Sequence, residues 1–166
     1  MTDIVLIAHD IRSTHNVGSL LRTAEGLGIK KVYFSGYTPY PVHVNDDRLP
    51  HLASKTSRQI AKTALGAEEL VDWECAGDIS GLLHRLKAEG YMVCALEQSD
   101  SSLELPKFKV PTKVAILLGR EVEGIDPSLI TLCDMTLEIP MFGKKESFNV
   151  VQAAAMVLYH CRFRQD

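Results

Sequence analysis

The chain has 166 residues, 46% of them hydrophobic and 23% charged, and a net charge of −3. That size and balance predict a single domain with its own core and exclude disordered, collagen-like and coiled-coil classes. No apolar run reaches the roughly 18 residues of a membrane span, the first residues lack a secretory pattern, and the acidic balance leaves any nucleic-acid contact to local basic patches.

Ile4 to Ala8 (IVLIA) form an apolar run of buried-strand type, followed by the turn and cap residues HDIRSTHN. Val17, Leu20, Leu21, Ala24 and Leu27 then recur at helical spacing, which predicts a helix over 17–27 with Gly28 as its stop. KKVYFSG reads as a second strand that ends in the proline-containing loop GYTPYPVHVNDD. A weakly amphipathic helix follows over 50–66, then LVDWE as a short strand, a helix over 78–89 closed by Gly90, and the strand YMVCALE. The polar segment QSDSSLELPKFKVP leads to KVAILLG, the clearest buried strand. GREVEG is a loop, DPSLITLC a short helix with proline in its first turn, and MTLEIP a last strand. A strongly apolar helix runs from about Ser147 to beyond Tyr159.

Strands alternating with helices predict an α/β fold: a mainly parallel sheet flanked by helices on both faces. Ligands in such sheets bind outside the carboxyl ends of the strands. Three loops occupy such positions: RSTHNVG, GREVEG and MFGKKESFN. Their glycines let a backbone approach a ligand closely. GREVEG lacks the Lys-Ser or Lys-Thr of a P-loop, and the chain has no G-x-G-x-x-G, so a nucleotide-binding oxidoreductase rests on the strand–helix alternation alone.

Cys75, Cys94, Cys133 and Cys161 form no C-x-x-C pair, and the six histidines form no i, i+4 pair, so no metal site is expected and the thiols are expected to be free and buried. Basic candidates for RNA contact are Lys30 and Lys31; Arg48, Lys55, Arg58 and Lys62; Lys107, Lys109 and Lys113; and Lys144 and Lys145. Each set alone reads equally as a solvated face.

HNVGSLLRTAEGLGI (15–29), ILLGREVEGI (116–125) and IPMFGKKESFNVVQAAAMVLYH (139–160) resemble, in order and spacing, the three motifs of the SpoU, or TrmH-like, RNA 2'-O-methyltransferases of the SPOUT superfamily. The likeness covers almost the whole chain. Phe148 stands where leucine is usual in that family, and Val151 where serine is common. The resemblance implies a C-terminal trefoil knot, a homodimer and S-adenosylmethionine bound in the knot. It places Leu118, Gly119, Gly124, Ile125, Ile139, Met141 and Phe148 at the cofactor. It ties Arg22 most closely to catalysis, with Asn16 and Glu121 supporting the site and Ser147 and Asn149 beside it.

The implied reaction is displacement of a methyl group from a sulfonium by a ribose 2'-hydroxyl, which needs help with deprotonation and alignment. A guanidinium hardly deprotonates, so Arg22 is expected to grip phosphate and stabilise the developing alkoxide. Transfer RNA is the first expected substrate and ribosomal RNA the second, with a catalytically inert RNA-binding protein of the same fold as the alternative. The expected setting is cytoplasmic, without membrane or metal, in one methyltransferase domain over 1–166 without a separate RNA-binding domain. Substrate choice then falls to the 40–62 region.

Plainer readings stand beside these. Arg22 lies off the apolar stripe of its helix and is free to face ligand or water. Asn16 could cap or begin its helix, Ser147 could be an N-cap with Asn149 in the early turn, and Glu123 reads as an ordinary loop carboxylate. The broad stripe Val150, Val151, Ala154, Met156, Val157 and Leu158 fits a core helix and also a dimer interface.

Overall fold

The computed structural model describes residues 2–163. In chain order its elements are β1 (Asp3–His9), α1 (Thr14–Gly26), β2 (Lys31–Ser35), α2 (Pro50–Ala64), α3 (Ala67–Leu70), β3 (Trp73–Ala76), α4 (Ile79–Ala88), β4 (Met92–Leu96), β5 (Leu103–Glu104), β6 (Lys113–Leu118), α5 (Pro127–Ile130), β7 (Met135–Glu138) and α6 (Val150–Phe163). The strands form one seven-stranded sheet in the order β3-β2-β1-β6-β4-β7-β5, and every neighbouring pair is parallel. The expected α/β architecture is therefore present.

Side-chain alternation along the central strands divides the core into two layers. Ile4, Leu6 and Ala8 of β1, with Val114, Ile116 and Leu118 of β6, pack under α1, α2 and α6. Val5 and Ile7, with Ala115 and Leu117, pack under Leu82, Leu83 and Leu86 of α4 and Leu129 of α5. Both faces of β1 and β6 are thus covered, which is why these two strands read as continuous apolar runs.

Three predicted boundaries move. α1 begins at Thr14 rather than at residue 17, because the Ser13 hydroxyl caps it by accepting the Asn16 N–H at 3.2 Å. Asn16 is therefore inside the first turn and is not the cap. The strand expected at LVDWE starts at Trp73, and the preceding residues form α3. The Trp73 indole donates to the Glu68 carbonyl and its ring lies 5.8 Å from Phe34, which pulls the strand start onto the sheet edge. The closing helix starts at Val150, since the Asn149 side chain accepts the Val151 N–H at 2.8 Å and its carbonyl accepts the Ala153 N–H. Asn149, and not Ser147, is the N-cap.

α1 and α2 touch closely at Gly18, where a Cβ would collide with the Ile60 carbonyl and the Thr63 hydroxyl. The same Thr63 hydroxyl donates to the His15 carbonyl at 2.8 Å. This close approach sets Arg22, one turn further along α1, against α2.

α6 returns across the first layer and buries Ala154, Val157, Leu158 and Cys161. Arg162 fastens it there, donating to the carbonyls of Leu27 (2.8 Å), Thr2 (2.9 Å) and Gly28 (2.6 Å). Its opposite side leaves Tyr159 and Phe163 exposed, with their rings 4.6 Å apart. Of the four thiols, Cys94 and Cys161 are buried and Cys133 is half-buried, while Cys75 is exposed against expectation at the end of β3. No helix among the described residues is long and apolar enough to cross a membrane.

Candidate active site

GREVEG forms a tight hairpin. Arg120 and Gly124 exchange backbone hydrogen bonds of 3.2 Å, and the chain returns so closely that a Cβ on Gly119 would sit 2.6–2.7 Å from Ile125 and the Gly124 carbonyl carbon. Gly124 has φ 74°, and a Cβ there would strike the Glu97 carboxylate. Both motif glycines are thus demanded by the hairpin's shape. Glu97, at the carboxyl end of β4, holds the hairpin's far side by accepting the Ile125 N–H at 2.9 Å.

This hairpin forms one wall of a cleft over the carboxyl ends of β4, β6 and β7. The opposite wall is Ile139, Ser147, Phe148, Val150 and Ala153. Of the candidate site residues, Leu118, Gly119, Glu121, Gly124, Ile139, Ser147 and Phe148 meet here. Ile125 does not line the cleft, because its side chain is buried in the second core layer. Met141 lies outside it, two residues beyond Ile139. Apolar surface from Leu118, Leu137, Ile139 and Phe148 adjoins the carboxylates of Glu97, Glu121, Glu123 and Glu138, with Arg120 as the cation of the lining. Such a cleft suits a ligand with a flat apolar part and positive charge.

Glu121 joins the first two motifs. Its carboxylate accepts the backbone N–H groups of Arg12 and Ser13 and the side-chain amide of Asn16, each at 3.2 Å. Burial pushes the Glu121 carboxyl up, but these donors outweigh it and hold its pKa below the usual carboxylate value. A negative charge over the amino end of α1 also complements the helix dipole. Asn16 therefore reaches the site through Glu121 and not by lining the cleft.

Arg22 is exposed and lies in a separate shallow groove with Ser19, Thr23, Lys62, Thr63, Leu65 and Val151. The first turn of α6 divides the two places: Val150 faces the cleft and Val151 the groove. Asn149, whose side chain caps that turn, lies outside both linings. Among the basic candidates, Arg48 is withdrawn from RNA contact, because it is clamped to Asp46 and to the carbonyls of Tyr40 and Pro41. Lys62 instead joins Arg22.

Sequence reasoning passed over Glu97 and Arg120, and set Glu123 aside. All three line the cleft. Glu97 ends a predicted strand and Arg120 follows one, so the rule that ligands sit at strand carboxyl ends was the signal that could have found them.

Residues 3–159 match the model of the SpoU rRNA methylase family. The chain belongs to that family. It is 27% identical over 165 residues to the tRNA (guanosine(18)-2'-O)-methyltransferase of Escherichia coli, covering 99% of this chain and 65% of that one. It is 32% identical over 163 residues to the 23S rRNA (guanosine-2'-O-)-methyltransferase of Acinetobacter baylyi, covering 97% of this chain and 60% of that one. The SpoU-family chain thus spans just under two thirds of the length of these curated relatives. Its fold superimposes on an AdoMet-bound rRNA methyltransferase from Sinorhizobium meliloti with a TM-score of 0.80 at 19% identity, covering 96% of this chain and 56% of that one. The two stretches that face each other across the cleft, in 116–125 and 139–160, are two of the three through which the sequence resembles the SpoU enzymes.

Proposed function

We propose that this SpoU-family protein transfers the methyl group of S-adenosylmethionine to a ribose 2'-hydroxyl of RNA, with transfer RNA the first expected substrate and ribosomal RNA the second. The observation that carries the reading is the cleft, in which the second motif faces the third in a chain matched to the family over 3–159. The residues present fit the cofactor. Leu118, Leu137, Ile139 and Phe148 offer apolar surface for its adenosine, and the excess of carboxylates favours its sulfonium and ammonium charges. When bound, the cofactor supplies an electrophilic methyl group.

The chain's own residues do the rest. Glu121 and Asn16 hold the first motif against the hairpin. The acceptor strand of RNA lies over the first turn of α6, between the cleft and the Arg22 groove, past Ser147 and Asn149. Arg22 stays protonated, holds a phosphate there and stabilises the negative charge that grows on the 2'-oxygen. The hydroxyl proton passes to an oxygen of that phosphate.

Within residues 1–166 the methyltransferase domain itself recognises the RNA, with Lys62 extending the Arg22 groove along α2. The protein works in the cytoplasm as a homodimer whose exposed Tyr159 and Phe163 are covered by a second copy. The segment from Ile139 onward closes a trefoil knot; α6's return across the sheet toward α1, and the likeness to SpoU-fold structures, support this reading.

Nucleoside mass spectrometry of transfer and ribosomal RNA from cells lacking the protein tests the proposal, before and after incubation with pure protein and S-adenosylmethionine. A missing 2'-O-methyl nucleoside that is restored is the expected result. RNA binding without any methyl transfer, and without calorimetric binding of S-adenosylhomocysteine, would overturn it in favour of an inert RNA-binding protein.

A further inference from the structure

A second cluster lies at the carboxyl end of β1, on the rim of the cleft. Asp10 adopts a left-handed backbone conformation, φ 56°, which residues other than glycine seldom take. Its side chain is only 10% exposed, and each carboxylate oxygen is used. One oxygen accepts the Tyr37 N–H at 3.1 Å; the other faces Nε and Nη2 of Arg120, both at 3.3 Å. Gly36, φ 64°, has no room for a Cβ because the Asp10 carboxylate occupies that space. The turn after β2 is therefore moulded around one buried carboxylate that also holds a cleft residue.

His9 completes the cluster, with Nε2 3.4 Å from Asp10 and Nδ1 2.9 Å from the Ser35 hydroxyl. Burial pulls the His9 pKa down, which favours the neutral ring. The charge facing Asp10 is then that of Arg120.

A neutral acceptor would be enough to satisfy the Tyr37 N–H. What the carboxylate adds is a fixed guanidinium: Asp10 engages two of the five N–H donors of Arg120 and leaves the others for a ligand. Beside it Tyr37 is 49% exposed. The Arg12 guanidinium carbon lies 5.9 Å from the centre of its ring. A pre-set guanidinium next to a half-exposed aromatic side chain, with the Arg12 guanidinium over one side of its ring, is a pairing that holds single-stranded RNA, through phosphate and base respectively. The position, where RNA must approach the cleft, favours RNA over a protein partner.

We propose that Asp10 builds an RNA-binding subsite on the cleft rim, in which Arg120 takes a backbone phosphate and Tyr37 stacks on a base flanking the methylated nucleotide. Asp10 is a positioning residue; Arg120 and Tyr37 make the contacts. The inference rests on the RNA methyl-transfer reading above.

The test is fluorescence anisotropy with a labelled 12-nucleotide single-stranded RNA of mixed sequence, across a salt series and with saturating S-adenosylhomocysteine, whose own affinity is measured by calorimetry. Arg120→Ala should weaken RNA binding about tenfold and lower the salt slope by about 0.7, the value of one phosphate contact on a single strand. Tyr37→Ala should cost about tenfold with the slope unchanged, and Tyr37→Phe should restore it. Asp10→Asn should match Arg120→Ala and add nothing to it in the double variant. If Asp10→Asn fails to fold, the two exposed-side variants carry the test. S-adenosylhomocysteine affinity should hold in Tyr37→Ala and Tyr37→Phe, since Tyr37 lies outside the lining of the cleft. Wild-type RNA binding that Arg120→Ala leaves intact overturns the subsite and leaves the methyl-transfer reading standing. Loss of S-adenosylhomocysteine affinity alone in Arg120→Ala also overturns it, by giving the guanidinium to the cofactor's carboxylate. A wild-type protein that binds neither this RNA nor transfer RNA overturns the subsite and the RNA reading together.

Discussion

Gly119→Ala tests whether the close return of the hairpin sets the shape of the cleft. The new Cβ would lie 2.6 Å from a side-chain carbon of Ile125, which can rotate, and 2.7 Å from the Gly124 carbonyl carbon and the Ile125 nitrogen, which cannot. The hairpin backbone must retreat by roughly 0.7 Å to regain ordinary contact. The three hydrogen bonds to Glu121 are already 3.2 Å long, so a shift of that size takes them to the edge of bonding geometry. Overpacking of this kind costs about 1–3 kcal/mol, which for a domain of this length lowers Tm by about 2–12 °C. Because Gly119 and Glu121 line the cleft, S-adenosylhomocysteine affinity should fall about tenfold or more. Scanning calorimetry and isothermal titration read the two effects. Gly143→Ala is the control, since a Cβ there meets nothing within 4 Å. A Gly119→Ala protein with wild-type Tm and wild-type affinity would refute the reasoning.

Arg162→Ala removes a charged donor from three carbonyls and should cost about 2–4 kcal/mol in urea unfolding, with Lys restoring only part; a loss under about 0.5 kcal/mol would show that the clasp is not holding α6. Arg22→Ala should lower methyl transfer about 10²-fold or more and leave S-adenosylhomocysteine affinity unchanged, because its groove is separate from the cleft; equal loss of both would place the guanidinium at the cofactor. The folded pKa of Glu121 is held below the unfolded value of 4.5, so its stabilisation is complete above pH 4.5 and is lost as pH falls through the folded value. Glu121→Gln should therefore be less stable than wild type at pH 7, and that gap should close on acidification; a gap that persists at low pH counts against the charge as its source. Tyr159→Glu should convert a dimer to a monomer in light scattering, and an unchanged mass would move the interface elsewhere.

The two central strands were plain in the sequence because burial on both faces leaves β1 and β6 almost without polar residues. Glycines made the motif loops legible, since Gly119 and Gly124 answer to local geometry. Features set by distant partners were not legible. α1 starts three residues early because Ser13 caps it while Glu121, more than 100 residues on, receives the N–H groups ahead of it. Ser147 and Asn149 are both good cap residues, and only the path of the loop decides that Asn149 does it. β5 has two residues, too few for any periodicity to show. Asp10 looked like a turn residue, and its hold on Arg120 spans 110 positions.

Sheet order explains why three motifs so far apart in sequence act together. β6 lies between β1 and β4, with Ala8 paired to Leu118, and β4 lies between β6 and β7, with Leu96 paired to Leu137. The loops after β1, β6 and β7 therefore emerge from one edge of a parallel sheet, with the β6 hairpin in the middle. From that place Glu121 reaches back to Arg12, Ser13 and Asn16, while Leu118 and Gly119 face Ile139 and Phe148 across the cleft. Glu97 props the same hairpin from β4. α1 carries Arg22, so the hairpin is the shared support of the cleft and of the helix that carries the guanidinium. A change that tilts it moves both, and this gives a physical reason for a motif with two glycines and a glutamate between them: the glycines fix how closely the hairpin turns, and the glutamate fixes what it turns against.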